Sequence, residues 1–180
     1  MSSGLERAVA ALRSGGVVLH ATEGVWGFAC DPFSREAFDK ILQIKGREEA
    51  KGVLLIAAQS EVFAAQLADL GHRQAVEASW PGHHTWVLPN KDAFAPWITG
   101  GRDTVACRVP AHEQARQLCA AFQGPLVSTS ANRSGAPAIT TQTAAFNEFA
   151  AEVDCCLAGA VSGAGKSSTI HGLDGTILRA

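Results

Sequence analysis

Apolar residues recur along this chain with two periods that alternate. Leu5, Ala8, Val9 and Leu12 fall at i, i+3, i+4 and i+7. That spacing predicts one helix face, and Gly15-Gly16 supplies the stop. Val17-Val18-Leu19-His20 is short and β-prone, and a second strand is expected over Val25–Ala29 after a Thr22-Glu23-Gly24 turn. Ser34 can cap a helix on which Phe38, Ile41, Leu42 and Lys45 share one side. Val53–Ala57 is apolar throughout, as in a strand covered on both faces. Helical segments are predicted near 60–69 and 72–79, and Trp80-Pro81-Gly82 breaks the chain. Further strands are expected at Thr85–Leu88, Thr104–Val109, Leu126–Thr129, Val153–Leu157 and Gly175–Arg179. Between them Ala115, Leu118, Cys119 and Phe122 form a helical stripe, and Thr140 or Thr141 caps a helix running through Phe149.

Strands and helices are interspersed, with hairpin-like neighbours as well. The pattern predicts an α/β domain with a mixed sheet. The chain has 180 residues, within the range of one domain, taken here as 1–180. Hydrophobic residues make up 47% and charged residues 18%, which excludes a disordered chain. The net charge of −2 and a sequence pI near 6.3 exclude a global basic field, leaving only a local basic pocket open. No N-terminal apolar region reads as a signal peptide, and no apolar run approaches the ~20 residues of a membrane span. Five cysteines, an odd number without CxxC spacing, read as reduced thiols. These features predict a cytoplasmic protein without membrane association.

Residues 159–169, GAVSGAGKSST, look like a phosphate cradle. A Walker A loop needs its first glycine at residue 160, where Ala160 stands; Gly159 comes one position early. Such a loop must also run into a helix whose N-terminus faces phosphate. The remaining tail contains Gly172, Gly175 and the β-prone Thr176-Ile177-Leu178. The stretch therefore reads as a flexible surface loop.

Other segments carry more chemistry. Lys45, Arg47 and Lys51 gather three cations between a helix end and an apolar strand. Taken alone they read as a solvated helix C-terminus, with a site for phosphate or carboxylate as the functional alternative. Ser128-Thr129-Ser130-Ala131-Asn132-Arg133-Ser134-Gly135 places small donors at a strand end, where either a turn or a ligand loop fits. Arg108 sits in the apolar run Val105–Val109; if buried, it requires an anion partner.

Taken in order, these segments resemble the YrdC/TsaC family, the threonylcarbamoyl-AMP synthases. The carrying stretches are Ala21-Thr22-Glu23-Gly24-Val25-Trp26-Gly27, Lys45-Gly46-Arg47 with Lys51, Ser79-Trp80-Pro81-Gly82, Thr104–His112, Ser128–Gly135 and Ser168-Thr169-Ile170. The resemblance implies a twisted mixed sheet flanked by helices, with a concave, positively charged hollow. It implies synthesis of L-threonylcarbamoyl-AMP and pyrophosphate from ATP, L-threonine and bicarbonate or CO2. The product would serve N6-threonylcarbamoyladenosine formation at position 37 of tRNA, through downstream threonylcarbamoyl-transferase proteins, with weak tRNA binding as an added expectation. By the same resemblance Lys45, Arg47 and Lys51 are catalytic. Arg47, Lys51, Thr104, Ser130, Asn132 and Arg179 bind ATP. Thr22, Arg108, Ser128 and Ser168 bind threonine, with Arg108 pairing its carboxylate. Magnesium accompanies ATP, and no protein metal site is implied. Glu48 and His83 depart from the family, where proline is common at both positions. The rival reading is a non-enzymatic RNA-binding or ribosome-assembly module using the same hollow. The acidic balance and the lack of tyrosine count against it.

Overall fold

The computed structural model describes residues 3–163 and 166–179. Its strands are β1 Val18–Ala21, β2 Trp26–Cys30, β3 Leu54–Ile56, β4 His84–Pro89, β5 Thr104–Arg108, β6 Leu126–Ser130, β7 Cys155–Cys156, β8 Thr169–His171 and β9 Ile177–Arg179. Among the described residues they form one sheet, ordered β7-β1-β2-β6-β3-β5-β4-β8-β9. The pairing is mixed: β3–β5, β1–β7 and β4–β8 are parallel, while β1–β2, β2–β6, β3–β6, β4–β5 and β8–β9 are antiparallel.

The longer helices are α1 Gly4–Arg13, α2 Arg35–Lys45, α6 Glu113–Phe122 and α7 Gln142–Phe149; the shorter are α3 Ala64–Leu67, α4 Arg73–Ala78 and α5 Pro96–Thr99. Ser3 and Glu6 form a reciprocal capping box on α1. Ser34 accepts from Ala37 N at the start of α2, and Thr141 rather than Thr140 caps α7. Gly46 ends α2 in the left-handed region, φ 59°.

The sheet divides the apolar residues by strand alternation. Val18, Ala29, Ile56 and Leu126 face α1 and α6, meeting Val9, Leu12, Leu118 and Cys119. Leu19, Phe28, Leu55 and Val127 belong to the opposite core with Phe38, Ile41 and Phe149. There Phe28 meets Phe149 edge-to-face at 4.9 Å.

Four details differ from the sequence reading. The 60–69 segment divides into a tight turn, Ser60–Phe63, and α3, because the backbone leaves the helix at Ala68 (ψ 136°). Val153–Leu157 pairs only through Cys155–Cys156, since β7 meets β1 for two residues. The turn Glu49–Lys51, helix α5 and strand β8 carry too few residues for a visible period. Strand β4 runs from His84 to Pro89, one residue longer at each end than the expected Thr85–Leu88.

His20 lies fully buried in β1. Its Nδ1 is 3.0 Å from the Ala21 carbonyl, which only accepts, so Nδ1 carries the proton and Nε2 is bare. Burial lowers its pKa to about 4; proximity to His112 contributes in the same direction. The unfolded chain takes up this proton below about 6.5, whereas the folded chain resists it down to about 4. Stability is therefore expected to fall by up to about 3 kcal/mol as pH drops through that window. Urea unfolding of His20→Leu should show a shallower pH slope than the parent, and equal slopes would refute the assignment.

Candidate active site

A cavity of about 430 Å³ opens where β3, β4, β5 and β6 lie side by side. Arg47, Lys51, Arg102, Arg108, Lys166 and Arg179 line it, and among the described residues no Asp or Glu does. Thr22, Thr104, Ser128, Ser130 and Ser168 add hydroxyls, while Val53, Leu54 and Ala106 supply apolar floor. Nine of the eleven sequence-derived site residues therefore share one hollow. Lys45 and Asn132 do not line it.

Lys45 is instead a buried tie. It ends α2 at 3% exposure, with Nζ donating to Ser130 O and, at 3.0 Å each, to Asn132 O and Oδ1. Ser130 Oγ also donates to Asn132 Oδ1 at 2.6 Å, and Asn132 Nδ2 holds Ala136 O. The helix end thereby fixes the loop that follows β6. Burial, with Arg47 nearby, lowers the Lys45 pKa to about 8.

Arg47 stands just beyond the Gly46 stop. Its Nη2 donates to Gly52 O at 3.0 Å, and its buried Nε has no partner. Burial lowers its pKa too. Arg102, missed in the sequence, donates to Thr99 O and Ala50 O at 3.0 and 3.1 Å. It thus straps the Lys51 turn to α5. Gly52 and Gly100 both have positive φ at this junction, and a Cβ on Gly100 would lie 2.5 Å from Ala50 O.

Arg108 is buried, 5% exposed, and it already has a carboxylate partner in the chain. It pairs with Glu23, and its Nε donates to Gly82 O at 2.9 Å. The anion partner that a buried Arg108 requires is thus supplied within the chain by Glu23. Glu23 Oε1 also accepts from Ala111 N at 2.6 Å, leaving the buried Oε2 without a partner. Burial lowers the Arg108 pKa, and Glu23 opposes that shift.

The glycine-rich stretch roofs this pair. Ser162 N donates to Glu23 O at 3.1 Å, and a Cβ on Gly24 would lie 1.8 Å from Lys166 O. Ser162, Gly163, Lys166 and Ser167 are exposed, as expected of a surface loop, but the backbone at Ser162 is tied to Glu23. The supposed P-loop glycine, Gly165, lies outside the described residues. Ser167 leads toward β8 rather than into a helix. Ser168 is buried, shares a 2.8 Å hydrogen bond with Thr85, and offers its carbonyl to Arg179 at 3.0 Å.

The sequence profile of the Sua5/YciO/YrdC family, described under telomere recombination, matches residues 10–180. The chain belongs to this family. A threonylcarbamoyl-AMP synthase of Halorhodospira halophila is 43% identical over 97% of this chain and 93% of its own length. One from Pseudomonas fluorescens is 39% identical, covering 97% and 96%. The P. abyssi Sua5 structure complexed with L-threonine has a TM-score of 0.86 at 32% identity. This family member spans 51% of that chain's length, and the match covers 94% of the present chain. E. coli YciO shares the fold, with a TM-score of 0.84 at 20% identity.

These ties predict different outcomes for two neighbouring cations. Lys45→Ala strands buried carbonyls and should lower stability by about 3 kcal/mol as well as weaken pyrophosphate binding. Arg47→Ala loses one in-chain bond and should weaken pyrophosphate binding with stability nearly unchanged. Denaturant unfolding and calorimetric titration of each variant check this; equal stability losses would contradict it.

Proposed function

We propose that this chain is a threonylcarbamoyl-AMP synthase, forming L-threonylcarbamoyl-AMP and pyrophosphate from ATP, L-threonine and bicarbonate or CO2. The observation that carries the reading is the shared cavity. One wall presents Arg47, Lys51 and Arg102, suited to a polyphosphate. Another presents Thr22, Arg108, Ser128 and Ser168, suited to a small hydroxyl amino acid. The relatives' names and the L-threonine complex support the same substrates.

The reaction joins the threonine nitrogen to the carbon of bicarbonate or CO2. The resulting carbamate oxygen attacks the α-phosphorus of ATP, and pyrophosphate leaves. A carbamate is short-lived in water, so one enclosed cavity must bring the three reactants together. The cations stabilise negative charge on the departing pyrophosphate. Thr104 and Ser130 contact the nucleotide, and Arg179 reaches it from β9. The roles of Lys45 and Asn132 are to hold the Ser130 loop in place.

Magnesium belongs to the substrate, as MgATP. Among the described residues no cluster of three or more His, Cys, Asp or Glu is present. The phosphates and water would therefore hold the ion. No described helix is long and apolar enough to cross a membrane. A cytoplasmic address, hand-over to threonylcarbamoyl-transferase proteins and weak tRNA contact complete the proposal. The RNA-binding alternative is not favoured by the relatives.

Pyrophosphate release in the presence of MgATP tests the reaction. Omitting either threonine or bicarbonate should lower the rate at least about tenfold. Release that ignores both would refute the reading.

A further inference from the structure

One end of the cavity wall is a hairpin with few attachments. Among the described residues β9 pairs only with β8, and β8 joins the rest of the sheet through three residues of β4. Ile177 and Leu178 of β9 are 63% and 62% exposed, so little apolar packing holds that strand. Yet this segment brings Ser168, Ile170 and Arg179 to the cavity. Arg179 stands opposite Ile170 in the register and donates to Ser168 O at 3.0 Å. Any tilt of the hairpin therefore moves Ser168 and Arg179 together.

Behind the hairpin lies a cluster of rings that does not line the cavity. Thr85 of β4 faces the cavity, so its neighbours His84 and Trp86 face away. The His171 ring of β8 stacks on Trp86, with centroids 4.2 Å and planes 13° apart. His171 Nε2 also lies 2.9 Å from His84 Nδ1. Trp86 is a fixed platform: it is buried, and its Nε1 donates to Ser79 Oγ at 2.9 Å. Trp80 Nε1 holds the His84 carbonyl at 2.8 Å.

We propose that His171 is a positioning residue: its grip on Trp86 and His84 seats the β8–β9 hairpin so that Ser168 and Arg179 reach the substrates. The inference rests on the function proposed above. Without the grip the cavity is complete in only a fraction of the molecules, and apparent affinity falls by that fraction. Saturating substrate draws the hairpin back, so the loss appears in KM and not in kcat.

The grip is sensitive to acid. His84 and His171 share one proton across their contact. A first added proton enters the donor ring and leaves the bond intact; a second must enter the acceptor nitrogen and breaks it. Burial, then His84, lowers the His171 pKa below its ordinary value. The other titratable groups around the cluster are His72, 5.3 Å from the Trp86 ring just before α4, and Asp174 in the β8–β9 turn. KM for ATP should therefore rise below about pH 6.5.

His171→Ala and His171→Phe, assayed by threonine- and bicarbonate-dependent pyrophosphate release, test the proposal. His171→Ala should raise KM for ATP and for threonine about tenfold each, with kcat within about twofold of the parent. His171→Phe keeps the stack and loses the hydrogen bond, so it should raise KM only about threefold and abolish the acid rise. Hydrogen exchange in His171→Ala should quicken over 169–179 and stay unchanged in β1, β2 and β6. An unchanged KM in His171→Ala, a loss confined to kcat, or an acid rise retained in His171→Phe would overturn the assignment while leaving the synthase reading intact. Exchange quickened across the whole sheet would overturn it too, marking His171 as general support of the fold. A parent protein without threonine-dependent release would remove both.

Discussion

The buried pair of Glu23 and Arg108 is the contact through which the separate parts of the site meet. Arg108 comes from β5 and also holds Gly82 O; Glu23 comes from the β1–β2 turn and also receives Ala111 N. The Glu23 carbonyl receives Ser162 N from the roof. One ion pair thus gathers the sheet centre, the Trp80–Gly82 break, the segment after β5 and the glycine-rich stretch. Such a pair is not automatically a net gain over an apolar pair, because both ions lose water. Removing one member is a different matter, since it strands the other charge in the interior at a cost of about 3–5 kcal/mol. The pair therefore works as a specifier of geometry: these segments fold around each other or leave a buried ion unpaired.

Around that neutral centre the remaining cations line the cavity, and among the described residues no Asp or Glu side chain lines it. Their hydrogen bonds go to backbone carbonyls: Arg47 to Gly52, Arg102 to Ala50 and Thr99, Arg179 to Ser168. Carbonyls orient a guanidinium without cancelling its charge, so the positive field remains for a ligand. Burial lowers proton affinity at Lys45, Arg47 and His83; Arg47 adds to this at Lys45, and Arg108 at His83. The uncancelled positive charge leaves the cavity electrostatically prepared for an anion. Lys45 belongs to the same field, although its ammonium is spent on three oxygens behind the wall.

Legibility in the sequence followed the kind of signal each residue leaves. Elements with several periodic residues were readable: the α1 stripe of Leu5, Ala8, Val9 and Leu12, the Ser34 cap, and the apolar β3. Short α5 and β8 leave no period; Ile98 O of α5 accepts from Val53 N, and β8 pairs with β4 and β9. Nine of the eleven site residues recognisable by motif converged on the cavity, while Lys45 and Asn132 lie behind it. Arg102 and Glu23 did not stand out, because their importance lies in what is opposite them in space. Glu23 reads as a turn residue until Arg108 is seen against it. Lys45 reads as a phosphate ligand until the Ser130–Asn132 carbonyls are seen around its Nζ.

The glycine-rich stretch makes the same point through packing. As a string it advertises phosphate binding, and its spacing denies it. In the fold the informative glycines of this region are Gly24 and Gly163. A Cβ on Gly24 would collide with Lys166 O, and one on Gly163 would lie 2.8 Å from Glu23 O. Each allows backbone to approach backbone with no side chain between. That close approach seats Ser168 against Thr85 and brings Lys166 to the cavity rim. Glycine here serves contact between two protein segments rather than contact with phosphate. The stretch contributes to the cavity as its roof, held down by the Glu23 carbonyl whose side chain secures Arg108 beneath.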